Sequence, residues 1–279
     1  MRKIKYPLVV SDFDGTLVRA DGTIGEKTKS AIEEYIKTGG TFAISTGRMP
    51  MGILSRAREL GLQGAVSCFQ GAAIMDIQSG KVICDGRMDN QIAVQISQKM
   101  DELGVHIHVY DLIDYYTNRE NETERFYVRC VEREGVFKEN TTDFLRETGL
   151  CPYKLIALTE KKDSDRVYTE LEKCFGKTCY VTTSGAEEYV FVEVCNPKYT
   201  KGTAIAFLAD YYKVPLAKTV GVGDQRNDLP MIQTAGVGAA VGNAHPDLKA
   251  QAKIVLNQTN EQDAVGVLIE KYAYEEIEE

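Results

Sequence analysis

Two carboxylates stand two residues apart in Asp12-Phe13-Asp14-Gly15-Thr16, directly after the apolar run Leu8-Val9-Val10. In extended chain, residues i and i+2 point to the same side, so one carboxylate can attack phosphorus while the other moves the proton. An Asp-x-Asp-x-Thr string alone is weak evidence. Three further groups follow it in the order that phosphoryl transfer through an aspartate needs: Ser45-Thr46-Gly47-Arg48, Lys201-Gly202 and Gly223-Asp224-Gln225-Arg226-Asn227-Asp228.

These four groups together resemble the motifs of the haloacid dehalogenase superfamily of phosphohydrolases. The long stretch between the second and third groups resembles the large insert of its Cof-type subgroup, and the resemblance spans essentially the whole chain. A carboxylate nucleophile and a phosphate dianion repel each other by about 4 kcal/mol per pair of unit charges 4 Å apart at an effective dielectric near 20. A divalent cation is therefore needed between them. The resemblance implies Mg²⁺, held by Asp12, Asp224 and the backbone carbonyl of Asp14, with Asp228 holding a metal-bound water.

On this reading Asp12 is the nucleophile and forms an aspartyl-phosphate. Asp14 is the general acid and then the general base. Thr46, the amides of Gly47 and Phe13, Lys201 and Asn227 supply donors for the phosphoryl oxygens. Arg48 adds a further phosphate contact, Lys201 also shields Asp12, Thr16 fixes the turn, and Gly47 and Gly202 permit close backbone approach.

The elements that must position these groups are legible as alternating runs. The apolar run 8–10 is followed by Thr28, Ala31, Ile32 and Tyr35 at helical spacing, ended by Gly39-Gly40. A strand at 41–44, a helix marked by Leu54, Ala57 and Leu60, and a third strand at 65–69 complete a βαβαβ pattern. After residue 195 come a helix at 201–212, a strand at 219–222, a helix at 229–234 and a strand at 237–241. Such alternation builds a parallel sheet whose ligands bind beyond the carboxyl ends of the strands, where the acidic groups fall.

Residues 85–195 have another rhythm. Extended candidates at 105–110, 153–158, 179–183 and 189–194, with helical candidates at 92–103 and 167–175, predict an α+β unit with an antiparallel sheet. The expected fold class is α/β: a Rossmann-like parallel-sheet core from residues 1–84 and 196–279, with a smaller α+β cap domain from 85–195 that selects the substrate.

The formal charge of −8 is concentrated in that insert, which holds 14 Lys and Arg against 22 Asp and Glu, leaving 19 against 19 elsewhere. An acidic face disfavours nucleic acid and anionic membranes, so a small phosphorylated metabolite is the expected partner. Seven irregularly spaced cysteines give neither a disulfide framework nor a Cys-x-x-Cys site. Cys68, Cys130, Cys151 and Cys195 read as small core hydrophobes. No signal-peptide core or membrane span is evident, and a cytoplasmic monomer or small homo-oligomer is expected.

His106-Ile107-His108 sets two imidazoles on one strand face, but no third ligand lies at a useful spacing, and Tyr115-Tyr116 is expected to pack within the cap. Two positions depart from the family pattern. Gln70-Gly71 stands where Asn-Gly is usual, at the cleft border but off the phosphoryl core, and Arg226 adds a positive charge beside the metal loop. The expected activity is Mg²⁺-dependent hydrolysis of small phosphomonoesters, sugar phosphates first. The alternatives are a phosphosugar mutase, disfavoured by the acidic insert, and a phospholigand sensor, which would be expected to have lost a catalytic residue.

Overall fold

A computed structural model of the 279-residue chain describes residues 2–185 and 188–275. Its contacts divide it into two compact units. One comprises Met1–Gly47, Leu54–Ile83 and Thr200–Glu279, and the other Arg48–Ile53 and Cys84–Tyr199.

In the first unit the apolar runs form a five-stranded parallel sheet. Its spatial order is Ile254–Val255, Val237–Ala240, Thr219–Gly223, Leu8–Ser11 and Thr41–Ile44. Leu8 is in register with both Thr219 and Thr41. Strands covered on both faces carry continuous rather than alternating apolar residues, and Leu8, Val9 and Val10 are all fully buried. The helix Glu26–Lys37 buries Thr28, Ala31, Ile32 and Tyr35, the stripe its spacing predicts, and it packs on the helix Ala264–Tyr272.

The third strand departs from the expected βαβαβ sheet. Ala65–Cys68 meets the parallel sheet through an isolated parallel bridge between Ser45 and Ser67, and pairs antiparallel with Ala73–Asp76 in a separate three-stranded sheet. Apolar periodicity predicts a buried strand but carries no information about the direction of its partner.

The second unit is built on a six-stranded sheet in the order Tyr180–Gly185, Tyr189–Cys195, Lys154–Glu160, His106–Tyr110, Tyr115–Thr117 and Val136–Phe137. All pairs are antiparallel except the last. Because side chains alternate across a strand, this sheet has two unlike faces. Ile107, Val109, Leu155, Ala157, Val192 and Val194 share a core with residues of the helices Asn90–Glu102, Thr141–Thr148 and Lys161–Phe175. The alternate positions include His106, His108, Tyr110, Lys154 and Glu193, all buried, and the helix Glu122–Val131 turns Glu124 and Tyr127 inward among them.

Much of this polar face is hydrogen-bonded internally, although the Nδ1 atoms of His106 and His108 are not. Lys154 Nζ donates to Glu193 Oε2 at 2.6 Å, Ser184 Oγ donates to Glu193 Oε1 at 2.6 Å, and the Tyr110 and Tyr127 hydroxyls are hydrogen-bonded to each other. Tyr115 stacks on Tyr110, and Tyr116 packs against Phe144. Cys68 and Cys195 are buried, but Cys130 is exposed and Cys151 only partly covered, so these two are not core hydrophobes.

Candidate active site

Asp12 and Asp224 each follow the last residue of a strand, Leu8–Ser11 and Thr219–Gly223, and these strands are parallel neighbours. The Asp12 N–H donates to Val222 O at 2.9 Å, which carries the pairing one residue beyond the strand. Both side chains therefore emerge together at the carboxyl end of the sheet. Asp228 joins them from the turn Arg226–Asp228, which leads into the helix Leu229–Thr234. Ligand oxygens of Asp12, Asp224 and Asp228 lie within 4.8 Å of one another, and all three residues are buried.

Lys201 is the cation among them. It is the first residue of the helix Lys201–Tyr211, which is fixed at its start by a capping box between Thr200 and Thr203. Most first-turn lysines are solvated, but this one is fully buried, with Nζ 2.5 Å from Asp12 Oδ1 and 2.6 Å from Asp228 Oδ1. Burial alone would pull the ammonium down, but Asp12 and Asp228 outweigh it and hold Lys201 charged. Burial pushes the Asp12 carboxyl well up, reinforced by Asp228 and opposed by Lys201. Burial and then Asp228 raise Asp224 to about 6.

The remaining contacts fix the carboxylates in place. Thr16 Oγ1 donates to Asp224 Oδ1 at 2.8 Å, so its part in the turn is to hold a second carboxylate. Asp228 Oδ2 accepts the N–H groups of Asp224 and Gln225, both at 3.0 Å. Gly15 has φ +72°, and a Cβ there would stand 2.5 Å from Asp224 Oδ2, so both its backbone and its bareness are required.

Gly223 has no unusual φ, but a Cβ would come within 2.4 Å of Asp228 Cγ. Gly223→Ala should displace Asp228 and cost about 1–3 kcal/mol of stability, with loss of the three-carboxylate cluster. An unchanged denaturation midpoint would refute this packing argument.

Thr46 and Asn227 are also buried, and Thr46 N–H donates to Ser67 O at 2.9 Å. Asp14 is exposed, and the adjacent Phe13 is buried. Arg48 belongs by its contacts to the other unit, so the first unit alone does not bring it to this cluster.

Several expectations need correction. Gln70 is not remote from the proposed phosphate-binding residues: it is buried in a left-handed backbone conformation, its Oε1 accepts from Asn227 Nδ2 at 3.2 Å, and its amide occupies the space a Gly47 Cβ would need. Gly202 serves helix packing, since a Cβ there would meet Pro230 O at 2.6 Å and Thr234 Oγ1 at 2.8 Å. Arg226 does stand beside the acidic turn, where it is paired with Asp247 at 2.9 Å, both side chains half exposed. Asn243, absent from the sequence reading, donates to Gly15 O at 2.8 Å; a lone Asn in a loop has no spacing signal that could have identified it. The His106 and His108 pair does acquire a carboxylate, Glu124, at 3.0 and 2.7 Å.

A sequence profile described as haloacid dehalogenase-like hydrolase matches residues 9–269. A Haemophilus influenzae protein, provisionally described as a phosphatase, is 29% identical over 272 residues, covering 95% of this chain and 98% of its own. The 5-amino-6-(5-phospho-D-ribitylamino)uracil phosphatase of Bacillus subtilis is 25% identical over 275 residues, covering 95% and 97%. A solved haloacid dehalogenase-like hydrolase from B. subtilis superimposes with a TM-score of 0.83 at 23% identity, over 95% of this chain and 99% of that one. The four motifs, the parallel sheet with its clustered carboxylates and a profile match over nearly the whole length agree, and the chain belongs to the haloacid dehalogenase-like hydrolases.

Proposed function

We propose that this protein is a Mg²⁺-dependent phosphatase that hydrolyses small phosphomonoesters through an aspartyl-phosphate on Asp12. The observation that carries the reading is the set of three buried carboxylates around one buried lysine at the end of a parallel sheet. Three carboxylates and one ammonium leave excess negative charge where water is scarce, and hard oxygen donors of this kind suit Mg²⁺. Asp12 and Asp224, with the Asp14 carbonyl, would hold it. When bound it would offset the repulsion between Asp12 and the phosphate dianion.

Lys201 holds the Asp12 carboxylate in one orientation through Oδ1. Attack by Asp12 forms the oxygen–phosphorus bond as the bond to the substrate's ester oxygen breaks, and Asp14 gives that oxygen its proton. Asp14 then takes a proton from water, whose oxygen displaces Asp12 and releases phosphate. Thr46, the Phe13 and Gly47 amides, Lys201 and Asn227 donate to the phosphoryl oxygens, and Arg48 adds a further phosphate contact. The second unit selects the leaving group.

Sugar phosphates are the first class to test. The B. subtilis relative's name places a phospho-D-ribityl group on its substrate, which points to the same chemistry. Phosphate release should be measured on a panel of sugar phosphates, nucleotides, pyridoxal phosphate and flavin mononucleotide, with Mg²⁺ and with EDTA. Release that EDTA abolishes and Mg²⁺ restores is the expected result. Isomerised product without free phosphate would replace hydrolysis by intramolecular transfer, and silence across the panel from folded protein would overturn the enzymatic reading.

A further inference from the structure

We propose that His106, His108 and Glu124, with Thr117, form a transition-metal site of the Zn²⁺ class inside the second unit, separate from the carboxylate cluster of the first. Four donor atoms converge there. His108 Nε2 lies 2.7 Å and His106 Nε2 3.0 Å from Glu124 Oε2, while Thr117 Oγ1 lies 2.8 Å from His106 Nε2 and 3.2 Å from Glu124 Oε2. The three chief donors all lie within 4.8 Å of one another, and all four residues are buried.

The elements bring these donors together for separate reasons. His106 and His108 share a strand face because they are two residues apart. Thr117 is set opposite His108 by strand register. Glu124 sits in the first turn of the helix Glu122–Val131, where Asn121 Oδ1 accepts its N–H at 3.0 Å. The Tyr115 hydroxyl donates to Glu124 Oε1 at 2.8 Å, which aims the other oxygen, Oε2, at the histidines.

Ligands about 2.0 Å from a tetrahedral zinc stand about 3.3 Å apart. The observed separations of 2.7 to 3.2 Å need to open by only a few tenths of an ångström. Two imidazoles and a carboxylate suit Zn²⁺ rather than Mg²⁺, which takes oxygen ligands. Neither buried Nδ1 has a hydrogen-bond partner, so nothing on the outer edge of either ring compels Nε2 to carry the hydrogen. His106 also lines a cleft of about 170 Å³ with Arg119, Asn121 and Thr123. Bound metal would fasten the helix to the polar face of the sheet.

The test is dialysis of the full chain against Zn²⁺ in excess Mg²⁺, followed by elemental analysis. One tightly held equivalent is expected in the wild type and in Asp224→Asn, which alters the other carboxylate cluster. Glu124→Gln and His108→Gln should bind zinc at least about 100-fold more weakly. Co²⁺ should give the visible bands of a four-coordinate nitrogen and oxygen site, without thiolate charge transfer. Zn²⁺ should raise the melting temperature of the wild type but not of Glu124→Gln. Absence of retained zinc in the wild type, or equal retention in folded Glu124→Gln, would overturn the site and leave a hydrogen-bonded cluster in its place.

Discussion

Asp12→Asn should abolish phosphate release, by about 10⁴-fold or more, the scale seen when a nucleophile is removed from a catalytic unit, while leaving the protein folded. The two expectations have different origins. Activity is lost because a carboxamide does not form the acyl phosphate. Stability is kept because the carboxamide oxygen can still accept from Lys201, which lies 2.5 Å from Asp12 Oδ1, and because one buried negative charge is removed from beside Asp224 and Asp228. Burial disfavours the ionised form of Asp12, so its neutral replacement should melt within about 1 kcal/mol of the wild type or above it. Steady-state phosphate release and a denaturant titration on the same preparation check both halves. Retained turnover would remove Asp12 from the mechanism; lost turnover with a collapsed midpoint would show a structural role that the geometry does not predict.

Lys201→Met should be damaging in both respects. Lys201 is fully buried between Asp12 and Asp228, and removing one partner of a buried ion pair costs about 3–5 kcal/mol, because the remaining charges keep their desolvation penalty without compensation. Here two carboxylates are left. Activity should fall as well, since Asp12 loses the contact that orients it.

Adding Asp228→Asn to Lys201→Met should recover part of the stability, and the double-mutant cycle measures that coupling. Recovery should be incomplete, because Asp228 Oδ2 also accepts from the Asp224 and Gln225 N–H groups. Midpoints that add without coupling would show that Lys201 and Asp228 do not interact as drawn. These variants also separate the two proposed metal sites, since neither touches Glu124.

Asp12, Asp224, Asp228 and Lys201 were legible in the sequence because their types, order and positions after predicted strands are local information. A parallel sheet then brings strand ends together whatever the length between them, so the 211 residues separating Asp12 from Asp224 do not obscure the site. The antiparallel character of the second unit was legible for a similar reason: alternating residues announce two faces. The third strand was not, because Ala65–Cys68 is apolar enough for either sheet, and its antiparallel partner is decided by the turn Phe69–Gly71, which contains Phe69 and Gln70 in left-handed conformation.

Packing decided the remainder. Gln70 read as a departure at the cleft border but off the phosphoryl core, yet the fold of that turn puts its amide between Gly47 and Asn227. Gly202 read as an opening for phosphate, but the space it leaves is filled by the Pro230 carbonyl. Glu124 was one acid among 22 in the insert, and only the docking of its helix on the strand His106–Tyr110 distinguishes it. Residue types and spacing along one strand determine which chemistry is available. Which distant side chain completes a buried cluster depends on how helices dock and turns close, and those choices are made by tertiary contacts that no local pattern encodes.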